Sequence, residues 1–235
     1  MRRFYKLAEA GTAPGGFVVR LDGKPIKTPM QHSMIFPSLD FASAVAAEWQ
    51  AQEKDIVPYT MPLTQLASTM LDKCGSSADR QAMNVEVLKY GASDLTCYFA
   101  THPADLVARQ EKEWRGLLNW LSATHGITLE AISGIQYHNQ PPQALEALNR
   151  LITGLDAAGF AVVQAATAVS GSLVLALALQ DGYLDADSAT TAACVDEIYQ
   201  LEKWGEDKLA RERIDRMRFE FAALCRFRDF LKTSS

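Results

Sequence analysis

The sequence predicts an α+β protein: a small N-terminal unit of mixed β-sheet and helix, followed by a larger all-helical unit with one fully buried apolar helix. Three observations lead there. Strand and turn signals cluster early, with Phe17-Val-Val-Arg-Leu21, Asp22-Gly23 and Lys24-Pro-Ile-Lys-Thr28 in succession. After Gly75 they largely stop, and apolar residues recur at helical spacing instead. Phe160 to Leu179 then carries no charge at all. These shifts place the domain boundary after residue 75, giving domains 1–75 and 76–235.

Each element has its own reason. Phe17–Leu21 alternates and is rich in strand formers. Asp22-Gly23 suits the two positive-φ positions of a tight hairpin, and Lys24–Thr28 returns. Pro25 cannot donate to a ladder, which assigns this strand to an edge or a bulge. Met34-Ile-Phe36 reads as a further short strand. Ser38 is a suitable N-cap for a helix running to Lys54, with Ala42, Val45, Ala46 and Trp49 on its inner stripe. Pro58 and Pro62 bracket a loop, and Leu63–Asp72 is helical again. Ala78–Lys89 is a helix, and Asp94–Phe99 reads as either a short strand or a helical turn. A long helix follows Pro103, with Leu106, Gln110, Trp114, Leu117, Leu118 and Leu121 on one side and Gly126 at its end. Pro141-Pro142 opens the next helix, whose stripe is Leu145, Leu148, Ile152 and Leu155. Asp185 caps a helix to about Trp204, and Met217, Phe221, Leu224 and Leu231 mark the last one.

A run of about twenty uncharged residues is long enough to span a bilayer. Here Gln164, Thr167, Ser170, Gly171 and Ser172 interrupt it, and Asp156 and Asp181 flank it without a basic cluster. Gly182 supplies a C-terminal stop. These features predict a core helix of a soluble protein, not a membrane insertion.

Composition excludes several classes. A net charge of -5 gives no reason to expect nucleic-acid binding. Cys74, Cys97, Cys194 and Cys225 lie far apart with no CxxC pair, as in a reducing compartment. Arg2-Arg3-Phe4-Tyr5-Lys6 leads into no apolar stretch, so no secretory signal is expected. Gly11–Gly16 is followed by no Gly-Lys-Ser/Thr and opens no helix, so it is a turn before a strand and not a phosphate loop. Ser170-Gly171-Ser172 lacks the nucleophile-elbow pattern. His32, His102, His125 and His138 are scattered, with no metal-binding spacing. No cofactor is expected. Glu48 and Gln52 flank Trp49 and read as a solvated face.

Two features remain. Asp94 reads first as a cap or turn residue; with His138 and nearby carboxylates it is also the residue an enzyme with a hidden site would use. Asp196, Glu197, Glu202, Glu206 and Asp207 crowd around Trp204. Composition alone reads this as a solvated acidic surface. The functional alternative is a protein-docking surface, since an aromatic anchor ringed by charges suits one, and its partner-binding residues would be Glu197, Glu202, Trp204, Glu206 and Asp207.

Seven segments in order carry a resemblance. They are Arg3-Phe-Tyr-Lys6, Leu21-Asp-Gly-Lys-Pro-Ile-Lys-Thr-Pro29, Ala46-Ala-Glu-Trp-Gln-Ala-Gln52, Met61-Pro-Leu-Thr64, Asp94-Leu-Thr-Cys-Tyr98, Ser170-Gly-Ser-Leu173 and Trp204-Gly-Glu-Asp207. Together they resemble the ATP-twelve family of assembly chaperones for F-type ATP synthase. The resemblance implies a non-enzymatic chaperone that binds the unassembled alpha subunit. It would mask the surface that beta later covers, until beta displaces it. It also implies that a glutamate of the acidic segment matters, with Glu197, Glu202 and Glu206 as the candidates. Mitochondrial members carry a presequence, whereas this chain begins at the first family segment. That points to a bacterial member acting in the cytoplasm, the alternative being a processed form starting at an added Met; a monomer is expected.

Overall fold

The computed structural model describes residues 1–75, 78–205 and 207–232. The chain divides into two compact units. The first comprises Met1–Arg80, Asp156–Ala161 and Arg226–Ser235, and the second Gln81–Leu155 and Val162–Cys225.

The first unit is built on an antiparallel sheet, β1 (Ala8–Ala13), β2 (Gly16–Leu21) and β3 (Lys24–Pro25), in that order. Asp22 and Gly23 take φ of 49° and 81°, the left-handed pair a two-residue hairpin needs. Pro25 lies on the edge strand, where its missing N–H costs nothing. The returning strand is shorter than its sequence suggests, although the Ile26 N–H still donates to the Val19 carbonyl at 2.9 Å. Met34–Phe36 contributes only an isolated bridge, Phe17 to Phe36. β1 itself has no strand signature: it pairs from Ala8↔Leu21 to Ala13↔Gly16 around Pro14-Gly15. The glycine-rich stretch is thus strand as well as turn.

Helix α1 (Leu39–Gln50) packs on β1 and β2, and Ser38 accepts from the Phe41 N–H as the N-cap. Helix α2 (Pro62–Lys73) starts at Pro62 after a non-capping Met61. Glu48 of α1 supplies the missing cap. Its carboxylate accepts from the N–H groups of Leu63 (2.7 Å) and Thr64 (2.8 Å) and from the Thr64 hydroxyl (2.7 Å). Glu48 therefore lies on no solvated face, and neither does Gln52, which is 5 % exposed and accepts from the Val57 N–H at 2.7 Å. Phe41, 1 % exposed, centres an aromatic core with Phe36, Phe227 and Phe230 at 4.9, 5.4 and 5.0 Å.

The second unit contains the larger part of the helices. Helix α3 (Ala78–Ala92) enters it at Gln81. A 3-10 turn (Leu95–Cys97) and β4 (Tyr98–Phe99) resolve the ambiguous Asp94–Phe99 segment as both alternatives in turn. Then come α4 (Ala104–His125), closed by a left-handed Gly126, and β5 (Ile132–Ser133), which pairs in parallel with β4. Helix α5 spans Pro142–Gly154.

The uncharged stretch is two helices, not one: α6 (Ala157–Ser170) and α7 (Leu173–Asp181). Gly171 breaks it with φ of +73°, and the Ser172 hydroxyl caps α7 through the Leu175 N–H. Both pieces are too short to cross a bilayer, and among the described residues no helix is long and apolar enough to do so. Every side chain from Leu173 to Leu179 is at most 1 % exposed. At about 2 kcal/mol per buried leucine side chain, α7 is the apolar centre of this unit. Gly91 of α3 lets it sit close: a Cβ there would stand 2.8 Å from Leu148 and 3.1 Å from Leu173. The helix expected from Asp185 to Trp204 is likewise split at Cys194, into α8 (Ala186–Ala193) and α9 (Val195–Trp204). Helix α10 (Lys208–Lys232) ends the described chain.

Candidate partner-binding site

The acidic segment forms α9 and the start of α10. Helix α9 is amphipathic, and Val195, Tyr199 and Leu201 are its buried residues. The helix is tied to α4 by ionic and polar contacts at nearly every turn. Asp196 accepts from Gln110 at 2.7 Å. The Tyr199 hydroxyl donates to Asp105 at 2.8 Å, and Lys203 bonds the same carboxylate at 2.6 Å. Arg109 pairs with Glu202. The guanidinium of Arg109 and the ammonium of Lys203 each lie 5.4 Å from the Tyr199 ring.

These contacts set the charge states. The Lys203 ammonium, then the Tyr199 hydroxyl, hold the Asp105 carboxyl down at about 2. The bond from Arg109 lowers the Glu202 carboxyl below its usual range. Both acids are therefore ionised at neutral pH, and the α4–α9 face carries fixed, alternating charge. Beside it a cavity of about 320 Å³ is lined by Arg109, Lys112, Glu113, Thr191, Val195, Ile198 and Glu202.

The sequence-predicted residues have unequal positions. Glu202 is half-exposed and faces α4. Glu197 pairs with Arg213 of α10 at 2.5 Å and is mostly covered. Asp207 accepts from the N–H groups of Leu209 (2.8 Å) and Ala210 (3.2 Å), so its carboxylate is committed to starting α10. Glu206 lies outside the described residues. Trp204 is 77 % exposed, and Leu209 nearby in sequence is 76 % exposed. Gly205 stops α9 with φ of 94° and ψ of 176°, a conformation essentially reserved for glycine. That stop makes Trp204 the last residue of α9, with its indole exposed. Asp105, Arg109 and Tyr199 are the partners the sequence did not mark. Their only signal is the four-residue spacing of Asp105 and Arg109, which matches that of Tyr199 and Lys203.

Asp94 and His138 form no joint site. Asp94 is wholly buried and accepts from the Ser172 hydroxyl (2.7 Å), the Val174 N–H (3.1 Å) and both the N–H and hydroxyl of Thr96 (3.1 and 2.8 Å). His138 pairs instead with Glu130 at 2.5 Å. Among the described residues no cluster of His, Cys, Asp or Glu could hold a metal ion.

The model of the ATP12 chaperone protein family matches residues 2–122 of the 235. The chain belongs to the ATP12 chaperone family. The crystal structure of Atp12 from Paracoccus denitrificans superposes with a TM-score of 0.84 at 30 % identity, covering 97 % of each chain. An aspartate-to-lysine variant of that protein matches equally well. The Atu1473 protein of Agrobacterium tumefaciens gives a TM-score of 0.85 at 33 % identity, over 98 % of this chain and 86 % of that one. The mitochondrial protein atp12 of Schizosaccharomyces pombe is 20 % identical over 221 residues, 90 % of this chain and 76 % of its own.

Six of the seven ATP12-like segments satisfy one another inside the fold. Arg3 donates to the carbonyls of Tyr5, Lys6, Gln50 and Gln52, and the Tyr5 hydroxyl donates to the Trp49 carbonyl at 2.7 Å. Asp22 accepts from the Lys6 and Leu7 N–H groups at 3.1 and 2.9 Å. Glu48 serves Met61–Thr64, and Asp94 serves Ser170–Leu173, as described above. The seventh, Trp204–Asp207, is different: its largest side chain faces solvent.

Proposed function

We propose that this ATP12-family chaperone assists assembly of the F-type ATP synthase catalytic sector by holding the unassembled alpha subunit until beta displaces it. The observation that carries the reading is Trp204: a large aromatic side chain, 77 % exposed, beside an ordered band of ionised side chains. A tryptophan left in water at the end of α9 is poorly explained by the fold and well suited to anchor a partner. The fixed charges of Glu202 and its neighbours would select the partner and orient it. Displacement by beta needs no nucleotide hydrolysis by the chaperone, only an interface of moderate strength that the alpha–beta contact outcompetes. The proposed setting is the cytoplasm of a bacterium, with the chaperone acting as a monomer.

Co-expression with alpha, and separately with beta, followed by size-exclusion chromatography tests this. Soluble alpha is expected to co-elute with the chaperone and to leave it when beta is added. Trp204→Ala should weaken alpha capture by about 2 kcal/mol, the usual scale for an aromatic anchor. Glu202→Lys should abolish it by breaking the Arg109 pair and reversing one charge of the half-exposed α4–α9 band. Alpha that stays aggregated with the wild-type chaperone present would defeat the proposal.

A further inference from the structure

The first unit holds a cavity of about 450 Å³ that the reading above does not use. Its apolar lining includes Phe4, Tyr5, Ile26 and Trp49, and Lys24 and Lys27 line it as well. Tyr5 and Ile26 are 6 % and 7 % exposed and form a covered floor, whereas Phe4 is 65 % exposed, so the space opens to solvent. The volume falls within the range of ordinary ligand pockets, about 300–1,000 Å³.

The charge around this cavity is one-sided. Among the described residues neither Lys24 nor Lys27 makes an ion pair. The only carboxylate in the lining, Asp22, is occupied by the backbone N–H groups of Lys6 and Leu7. The first thirty residues hold six basic side chains against two acidic ones, in a chain whose net charge is -5. The cavity is also preformed. Asp22 and Gln31, the non-glycine residues with positive φ among those described, both line it. Each is held in a tight turn, Gln31 by its N–H bond to the Thr28 carbonyl at 2.9 Å. A covered apolar floor with unpaired cations beside it is complementary to an apolar group flanked by carboxylates.

We infer that this cavity binds an acidic peptide segment of a partner protein, seating one large apolar side chain against Ile26 and Trp49 with flanking carboxylates on Lys24 and Lys27. A peptide fits better than a small enclosed ligand because the cavity opens beside the exposed Phe4, so the chain on either side of the anchored residue can continue into solvent.

The test uses the full chain and synthetic peptides, and does not involve the alpha subunit. The probe is acetyl-Asp-Glu-Phe-Asp-Glu-amide, titrated by calorimetry and by the assigned Trp49 indole N–H resonance. Saturable binding that shifts this resonance is expected. Replacing Phe by Ala in the peptide should remove it. K24E/K27E, which alters two exposed side chains without internal partners, should weaken binding at least about tenfold with an unchanged circular dichroism spectrum. Glu202→Lys should bind the peptide as well as wild type does, which separates this site from the alpha-subunit reading. Equal binding of a Lys-Arg-Phe-Lys-Arg peptide, an unmoved Trp49 resonance, or an unaffected K24E/K27E variant would each overturn the inference. Phenylacetate binding as tightly as the peptide would also overturn it, and would reassign the cavity to a small aromatic acid.

Discussion

At the scale of single residues, Asp94 does the most unusual work. Burial pushes its carboxyl above the ordinary range, and the bonds from Ser172, Val174 and Thr96 pull it back only in part. A raised folded-state value means that the folded chain holds this proton more tightly than the unfolded chain does. The contribution to stability is then fully present below the unfolded carboxylate value of about 3.9 and is lost as pH rises through the folded one. Asp94→Asn abolishes that titration and turns an NH2 group toward donors. It should cost about 2–4 kcal/mol. In urea melts the wild-type advantage over Asp94→Asn should be larger at about pH 4 than at about pH 8. A difference that does not vary with pH would show that Asp94 does not titrate as described. Asp105 behaves in the opposite sense. Its contribution is present above about 3.9 and fades as pH falls toward about 2, so the α4–α9 contacts should persist under mild acid. An NMR titration of its carboxyl carbon reads this directly.

At the scale of elements, much of the organisation could be read from the sequence, and the misses have physical causes. Ser38, Asp185, Gly126 and Gly182 were recognisable caps because capping is local, within a turn or so of the residue concerned. Strand β1 was not legible, because Ala8–Ala13 contains a single β-branched residue and owes its place to pairing with β2. The break at Gly171 was hidden by the apolar residues on both sides, which give one hydropathy pattern for two helices. Asp94 was legible as a cap of its own turn, which it serves through the Thr96 N–H, but its service to α7, like that of Glu48 to α2, was not, because each of those helices is remote in sequence. Glu48→Ala should therefore loosen α2 by about 1–2 kcal/mol, with Glu48→Gln recovering part of the loss. Thermal denaturation of the two variants settles this. Gly171→Ala meets no neighbour, so only its positive φ is penalised, by about 1–2 kcal/mol. A variant as stable as wild type would refute the assigned backbone conformation.

At the scale of the whole molecule, fold and function separate. The proposed docking residues were legible as a composition, an acidic segment around Trp204, but not as an arrangement. The sequence could not tell Asp207, which starts a helix, from Glu202, which faces α4 across an ion pair. For Arg109 it offered only the four-residue spacing from Asp105, because the contact with Glu202 joins residues 93 positions apart. The arrangement has a testable result. Trp204→Ala changes an exposed group and should leave stability within about 0.5 kcal/mol of wild type, and Glu202→Lys, which loses a half-exposed ion pair, within about 1 kcal/mol, while alpha capture falls. A large loss of stability in either variant would mean that the residue serves the fold, and the capture defect could no longer be assigned to the surface.

The bond between Asp94 and Ser172 bridges 78 positions of sequence. During synthesis the carboxylate emerges long before the helix it will cap. Until then it is an ordinary hydrated acid, and α7, with no charge before Asp181, has nothing to fix its first turn except its own serine. Closing so long a loop is entropically slow. The most apolar helix of the protein should thus acquire its amino-terminal turn late. In hydrogen exchange after refolding, the Val174 amide should gain protection after those in α4, and Asp94→Asn should speed unfolding more than it slows folding.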